Sequence, residues 1–200
     1  MSEISAKDLA VVATIKEGIT IGTKNIGAIL VNLILWLVTV WIPYLNVGTT
    51  IGLFAGIVSK ASRGEVIPMT EIFDPKYRKY MGEYFLTAGL IGLGVGVGTA
   101  FFVIPGIVIC IAWSLALLLV IDKGKNPTEA ITLSNNCTYG NKWKIFGVYF
   151  LTTLAFGIVI AILSQIPVIG AFLAVIVGLF MMFVIIGLQA SVYKRLTEGV

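Results

Sequence analysis

Long apolar runs dominate this chain, and they are interrupted in two alternating ways. One interruption is an uncharged Ile-Pro pair within a run: Ile42-Pro43, Ile104-Pro105 and Ile166-Pro167, with the prolines spaced 62 residues apart. The other is a polar, charged segment between runs. Equal spacing of this kind reads as an internal repeat. Proline has no amide hydrogen to donate and its ring clashes with the preceding turn, a cost of about 3 kcal/mol inside a helix, so each Ile-Pro predicts a junction between two helices. Each unit then predicts a helical hairpin turning at Pro43, Pro105 or Pro167. The units run 4–62, 66–124 and 126–195, within one membrane domain over 1–200. Their arms are expected at 25–42 and 44–59, at 84–104 and 106–121, and at 145–166 and 168–193.

The segments leading into the hairpins have helical periodicity of their own. Over 4–22, Ile4, Val11, Val12, Ile15 and Ile19 share one face and Lys16, Glu17 and Thr20 the other, which predicts an amphipathic helix lying on the membrane surface. Ser5 is placed as its cap, with Asp8 three residues on. Asp74-Pro75 and Asn126-Pro127 are helix-start signals, the second with Glu129 in capping position. Phe73, Tyr77, Tyr80 and Tyr84 form an aromatic stripe suited to the headgroup layer, with Lys76, Arg78 and Lys79 facing away, and Lys142, Trp143 and Lys144 mark the next interface.

Each return arm also carries small residues four apart: Gly48, Gly52 and Gly56; Gly106, Cys110 and Ser114; Gly170, Ala174 and Gly178. In lipid, close backbone approach through small residues is how helices pack, so the three return arms are expected to meet at the centre. Gly89, Gly92, Gly94, Gly96 and Gly98 make the arm at 84–104 the one expected to be least regular.

Composition turns this helical plan into a membrane protein. Hydrophobic residues make up 58% of the chain and charged residues 12%, with a mean hydropathy of +1.00. That much apolar surface needs lipid as its solvent. The fold class is therefore all-α integral membrane, with six transmembrane helices in three hairpins and interfacial amphipathic helices. All charged residues lie in the N-terminal segment to Lys24 or at 60–83, 122–144 and 194–198, away from the Ile-Pro turns. Spanning arms put all four segments on one side, and their excess of Lys and Arg makes that side, with both termini, cytoplasmic. The same excess suits anionic lipid headgroups rather than nucleic acid. A 16-residue arm covers about 24 Å against about 30 Å of hydrocarbon, so hairpins that turn back inside the bilayer are the alternative. Trp36, Trp41 and Tyr44 near the first turn favour spanning.

Candidate chemistry is sparse. The chain has no histidine, which removes the usual zinc ligand and the usual partner of a nucleophilic serine. Cys110 and Cys137 are separated by the topology, and no disulfide or cofactor is expected. Gly92-Leu93-Gly94-Val95-Gly96 lies inside an arm, not after a strand, and does not read as a dinucleotide motif. Asp122 and Glu83, at arm ends, read as solvated charges paired with Lys123, Lys125 or Lys79, against a proton or cation site. Asn32 inside an arm and Gln165 beside a turn are the residues a polar path would use, and a hydrogen bond to another helix is the competing role for Asn32. The lack of charge within the arms argues against a coupled transporter.

Between 105 and 150, the run Pro105-Gly106-Ile107, Asp122, Thr128-Glu129-Ala130-Ile131, Ser134 and Gly140-Asn141-Lys142-Trp143 leading into Phe146 resembles bacterial and archaeal integral-membrane families of unknown function. The same pattern is similar to the membrane domain attached to some glycerophosphodiester phosphodiesterases. The resemblance implies a polytopic protein of a prokaryotic cytoplasmic membrane. Phosphodiesterase chemistry in those proteins resides in a separate soluble barrel, which nothing in this chain encodes, so no enzymatic role follows. The expectation is a non-enzymatic accessory, scaffold or assembly subunit acting through lipid contacts and a protein partner or second copy. A small channel or transporter and a membrane-shaping hairpin protein are the alternatives.

Overall fold

The computed structural model describes residues 9–167 and 169–199. Ile4, Ser5 and Asp8, read above as the start of the first helix, lie outside the described residues. The described secondary structure is all helical, with no strand among the described residues.

The first unit departs most from three equal hairpins. Helix α1 (Val11–Lys24) and helix α2 (Ile26–Thr39) meet at Asn25 with a bend of 66°. The return stretch starts with proline in the first turn of α3 (Pro43–Ile51), passes through one π turn at Gly52–Gly56 and continues as α4 (Ile57–Arg63). Gly64, at φ 71°, ends α4 in a left-handed conformation that glycine adopts without a Cβ penalty. A loop then leads through a 3-10 turn at Glu71–Phe73 and the single-turn α5 (Lys76–Lys79).

Units two and three keep the predicted plan more closely. Helix α6 (Met81–Phe101) is followed by α7 (Val103–Ala112) and α8 (Ala116–Lys123), then by α9 (Pro127–Thr138), α10 (Lys142–Leu163) and α11 (Ile169–Thr197). Among the described residues, four stretches are long and apolar enough to cross a membrane: α6, Val103–Lys123, α10 and α11. A fifth is reached if the bent α1–α2 pair counts as one span. At 1.5 Å per residue the 21 residues of α6 reach about 32 Å, a bilayer's hydrocarbon thickness. The 29 residues of α11 reach about 43 Å, so its last turns stand clear of that slab.

The glycine-rich α6 is one unbroken helix, and the irregular span is its partner. The chain reverses at Phe102, a single extended residue, and Pro105 falls in the first turn of α7. Between α7 and α8 the helix breaks at Trp113, whose ring fills the space left by Gly94: a Cβ on Gly94 would lie 2.1 Å from the indole. The small residues after the prolines close their own hairpins. A Cβ on Gly106 would lie 2.1 Å from the Thr99 hydroxyl, and one on Gly170 2.0 Å from the Leu163 carbonyl oxygen. Cys110 is exposed, and Gly178 has no neighbour that a Cβ would meet. Ala174 is half-buried, and the Ser114 hydroxyl donates within its own arm to the Ile111 carbonyl. The return arms do meet, through α4, α8 and α11, but not through these small residues.

The closest helix crossing joins α1 to α11. Gly22 abuts Phe183 and Val184, Gly18 abuts Leu188, and a Cβ on Gly187 would lie 2.0 Å from the Gly18 carbonyl oxygen. Contacts that climb one helix as they descend the other make the pair antiparallel. The expected surface helix is thus packed against the last half of α11, because Gly18 and Gly22 give it a flat face on which Thr14 is also buried.

The two ends of the molecule differ. Fully buried apolar side chains gather near the charged segments, among them Ile57, Val58, Leu118, Leu119, Ala130, Ile145, Leu188 and Val192. Toward the second and third turns the hairpins stand apart, with Phe101, Phe102 and Ile104 at 64–76% exposure and Phe172 at 68%. The first turn is elsewhere. The Arg78 guanidinium carbon sits 5.3 Å from the centroid of the Tyr44 ring, and the Arg78 chain lies over Gly48. Both ends of the α3–α4 stretch therefore meet charged segments, since Arg63 at its other end pairs with Asp122.

Candidate functional site

Where α4, α8, α11 and the loop after α4 converge, the chain builds a polar junction inside an otherwise apolar protein. Its centre is Asp122, in the last turn of α8, with a side chain only 7% exposed. The Ser59 hydroxyl donates to its Oδ1 at 2.6 Å, the Tyr193 hydroxyl donates to its Oδ2 at 2.8 Å, and the Arg63 guanidinium donates to Oδ1. One carboxylate thus ties the ends of all three units. Its partners are these residues rather than the neighbouring Lys123 or Lys125, because burial turns the side chain inward and a buried carboxylate needs donors there.

Arg63 also reaches back to Glu65, Nε to Oε1 at 2.5 Å and Nη2 to Oε2 at 3.1 Å. The fork holds the Glu65 carboxyl below its usual range and raises Arg63 further. A second buried acid lies alongside. Glu71, with 2% of its side chain exposed, accepts from Lys60 Nζ at 2.7 Å and from the Tyr77 hydroxyl, while Lys76 Nζ stands off at 3.5 Å. Burial and the bond to Glu71 push the Tyr77 phenol well above its ordinary value. Burial alone would raise Asp74, but the backbone N–H and the ammonium of Lys76 outweigh it, and the carboxyl is held low.

Tyr77 is therefore a core residue and not the headgroup contact expected of it. It occupies space that two glycines vacate, since a Cβ on Gly56 would lie 2.1 Å from its hydroxyl oxygen. Tyr84 is also buried, Tyr80 is half-buried, and of the stripe only Phe73 stays exposed. At the other expected interface Trp143 is 69% exposed, and Lys142 donates to the Asn135 side chain at 3.0 Å.

Asn32 is fully buried and holds the loop to α2. Its Nδ2 donates to the carbonyls of Ala28 and Pro68 at 2.9 and 2.8 Å, and its Oδ1 accepts from the Ile72 backbone N–H at 3.1 Å. The partner is loop backbone rather than another helix. Gln165 is exposed in the turn after α10 and donates to the Ala161 carbonyl of that helix at 3.4 Å, so these two residues do not share a set of partners. Glu83 is exposed on the first turn of α6.

Two further polar contacts join distant segments. Glu17 of α1 accepts from Ser191 at 3.0 Å, Lys194 at 2.8 Å and Arg195 at 2.7 Å on α11. In the break between α7 and α8, Ser134 of α9 accepts from the Leu115 N–H at 3.1 Å and donates to the Ala112 carbonyl at 2.8 Å. Helix α9 itself starts as its sequence predicts, with Asn126 Oδ1 accepting from the Glu129 N–H at 2.9 Å.

Between the Asp122 and Glu71 groups lies a cavity of about 470 Å³, lined by Ser59, Arg63, Lys76, Tyr77, Tyr80 and Lys123 among others. Sequence reasoning missed Ser59, Arg63 and Tyr193 because their partner Asp122 lies far away in the chain, and Glu71 because Tyr77, which donates to it, reads in the sequence as a headgroup contact. The Gly18-to-Gly22 spacing was a readable signal. Among the described residues, every buried side-chain nitrogen and oxygen has a hydrogen-bond partner, and no group of three acidic or cysteine side chains could hold a metal. No protein-family model, curated protein or solved structure matches the chain.

Proposed function

We propose that this chain is a non-enzymatic membrane protein, an accessory or scaffold subunit acting through lipid and partner contacts at its charged end. The observation that carries the reading is the Asp122 junction, which commits its ionised groups to bracing α4, α8 and α11 against one another. Such a junction makes one rigid face out of three units. The Lys and Arg excess supports a cytoplasmic setting for that face, at the headgroups, and the resemblance of 105–150 to bacterial and archaeal membrane families supports a prokaryotic inner membrane. Six membrane-embedded arms remain the plan, with units two and three as full spans and unit one a bent variant of the same repeat.

Reconstituted vesicles test this. The protein should leave proton, potassium and chloride permeability at the level of protein-free vesicles. Flux above that level, removed by Asn32→Leu, would replace the scaffold with a pore.

Membrane shaping is the second reading, and one observation favours it: the turn at Pro43 sits beside Arg78 rather than at the apolar end. A unit confined near one face wedges one leaflet.

A further inference from the structure

We infer that the cavity between Asp122 and Tyr77 is a binding site for a phosphate monoester group, supplied by a membrane lipid or by a soluble phosphate. The inference deepens the reading of the charged end as a headgroup-level face and rests on it.

Size comes first: about 470 Å³ falls within the range of about 300–1,000 Å³ typical of small-molecule sites. Charge comes next. The wall carries Arg63, Lys76 and Lys123 against a single carboxylate, Asp122. That carboxylate is already met by Ser59, Arg63 and Tyr193, so little of its charge is left to repel an anion. The two lysines are different. Lys76 holds its carboxylates only loosely, at 3.5 Å from Glu71 and 3.3 Å from Asp74, where Lys60 sits at 2.7 Å. Lys123 is exposed and has no ion-pair partner among the described residues. One unpaired ammonium and one shared among Glu71, Asp74 and the Tyr77 ring, both lining one cavity, match the charge of a phosphate monoester, about −1.5 to −2 at neutral pH. Tyr80 adds a phenol in the wall and immediately precedes α6, whose N-terminal dipole also favours an anion there.

The test uses the full chain in phosphatidylcholine nanodiscs, with phosphatidic acid added to the disc in one arm and inorganic phosphate to the buffer in the other. Thermal midpoints and native mass spectra are read for the wild type, for K76A/K123A and for K16A/K24A, which loses the same charge away from the cavity. The wild type and K16A/K24A should bind and gain stability, and K76A/K123A should bind more weakly by about tenfold for each lysine. Stabilisation by phosphatidic acid alone assigns the site to lipid, and stabilisation by inorganic phosphate assigns it to a soluble ligand. Equal binding by the two double variants, or no binding of either probe by the wild type, overturns the inference. A wild type that conducts ions yet binds phosphate through Lys76 and Lys123 would instead remove the scaffold reading and keep the site.

Discussion

A carboxylate withdrawn from water needs donors in its place, and Asp122 has three, two from α4 and one from α11. Removing it leaves the Tyr193 hydroxyl and the Ser59 hydroxyl without their acceptor, and stranded buried polar groups cost about 1–3 kcal/mol each. Asp122→Ala should therefore lower the thermal midpoint in detergent well below that of Glu83→Ala, whose side chain is exposed. Equal midpoints would show that the junction does not brace the fold. Gly187 makes a second prediction of the same kind. A methyl there collides with the backbone of Gly18, not with a side chain that could swing away, so Gly187→Ala should cost about 1–3 kcal/mol as an overpacking defect, read from the same melts. At this scale the sequence revealed which residues were unusual and not whom they met. Asp122 and Asn32 stood out as polar groups among apolar neighbours, but their partners Ser59, Tyr193 and Pro68 are 36 to 71 residues away.

At the scale of elements, the break in the second return arm shows how a span tolerates a lost turn. Interrupting a helix frees backbone groups that lipid cannot satisfy. Here α9 supplies the remedy through Ser134, which serves the Leu115 N–H and the Ala112 carbonyl together. Ser134→Ala should leave the Leu115 amide without a partner and speed its hydrogen exchange, while Thr132→Ala on the exposed face of α9 should not. Unchanged exchange at Leu115 would mean that the break is held by something else. Asn32 acts similarly on the loop after α4. Asn32→Leu should free the 64–72 segment and increase tryptic cleavage after Arg63, with no effect on cleavage after Lys144. The sequence made the hairpins legible because proline and charge punctuate them. It hid the α7–α8 break, which carries neither, and pointed instead to the glycines of α6, which rotate smoothly through one helix and give Trp113 its place at Gly94.

For the whole molecule, the pattern of ionised residues foretold a polar end and an apolar end, and hydropathy foretold an all-helical chain. The first unit escaped that logic, because a 62-residue period records equal lengths along the chain and says nothing of equal paths through the bilayer. Labelling separates the cases. With Cys110 and Cys137 replaced by serine and alanine, a cysteine at Gln165 should react with an impermeant maleimide from outside the cell. One at Tyr44, beside Arg78, should react only after the membrane is opened. External labelling of Tyr44→Cys would return the first turn to the far side. The α1–α11 crossing has one more consequence, for synthesis. The groove between Gly18 and Gly22 is occupied by residues 183 to 188, which are made long after the helix they cover. A nascent chain must therefore hold α1 unclasped until residue 188 has been made, and a chain cut short before residue 183 would never fasten shut.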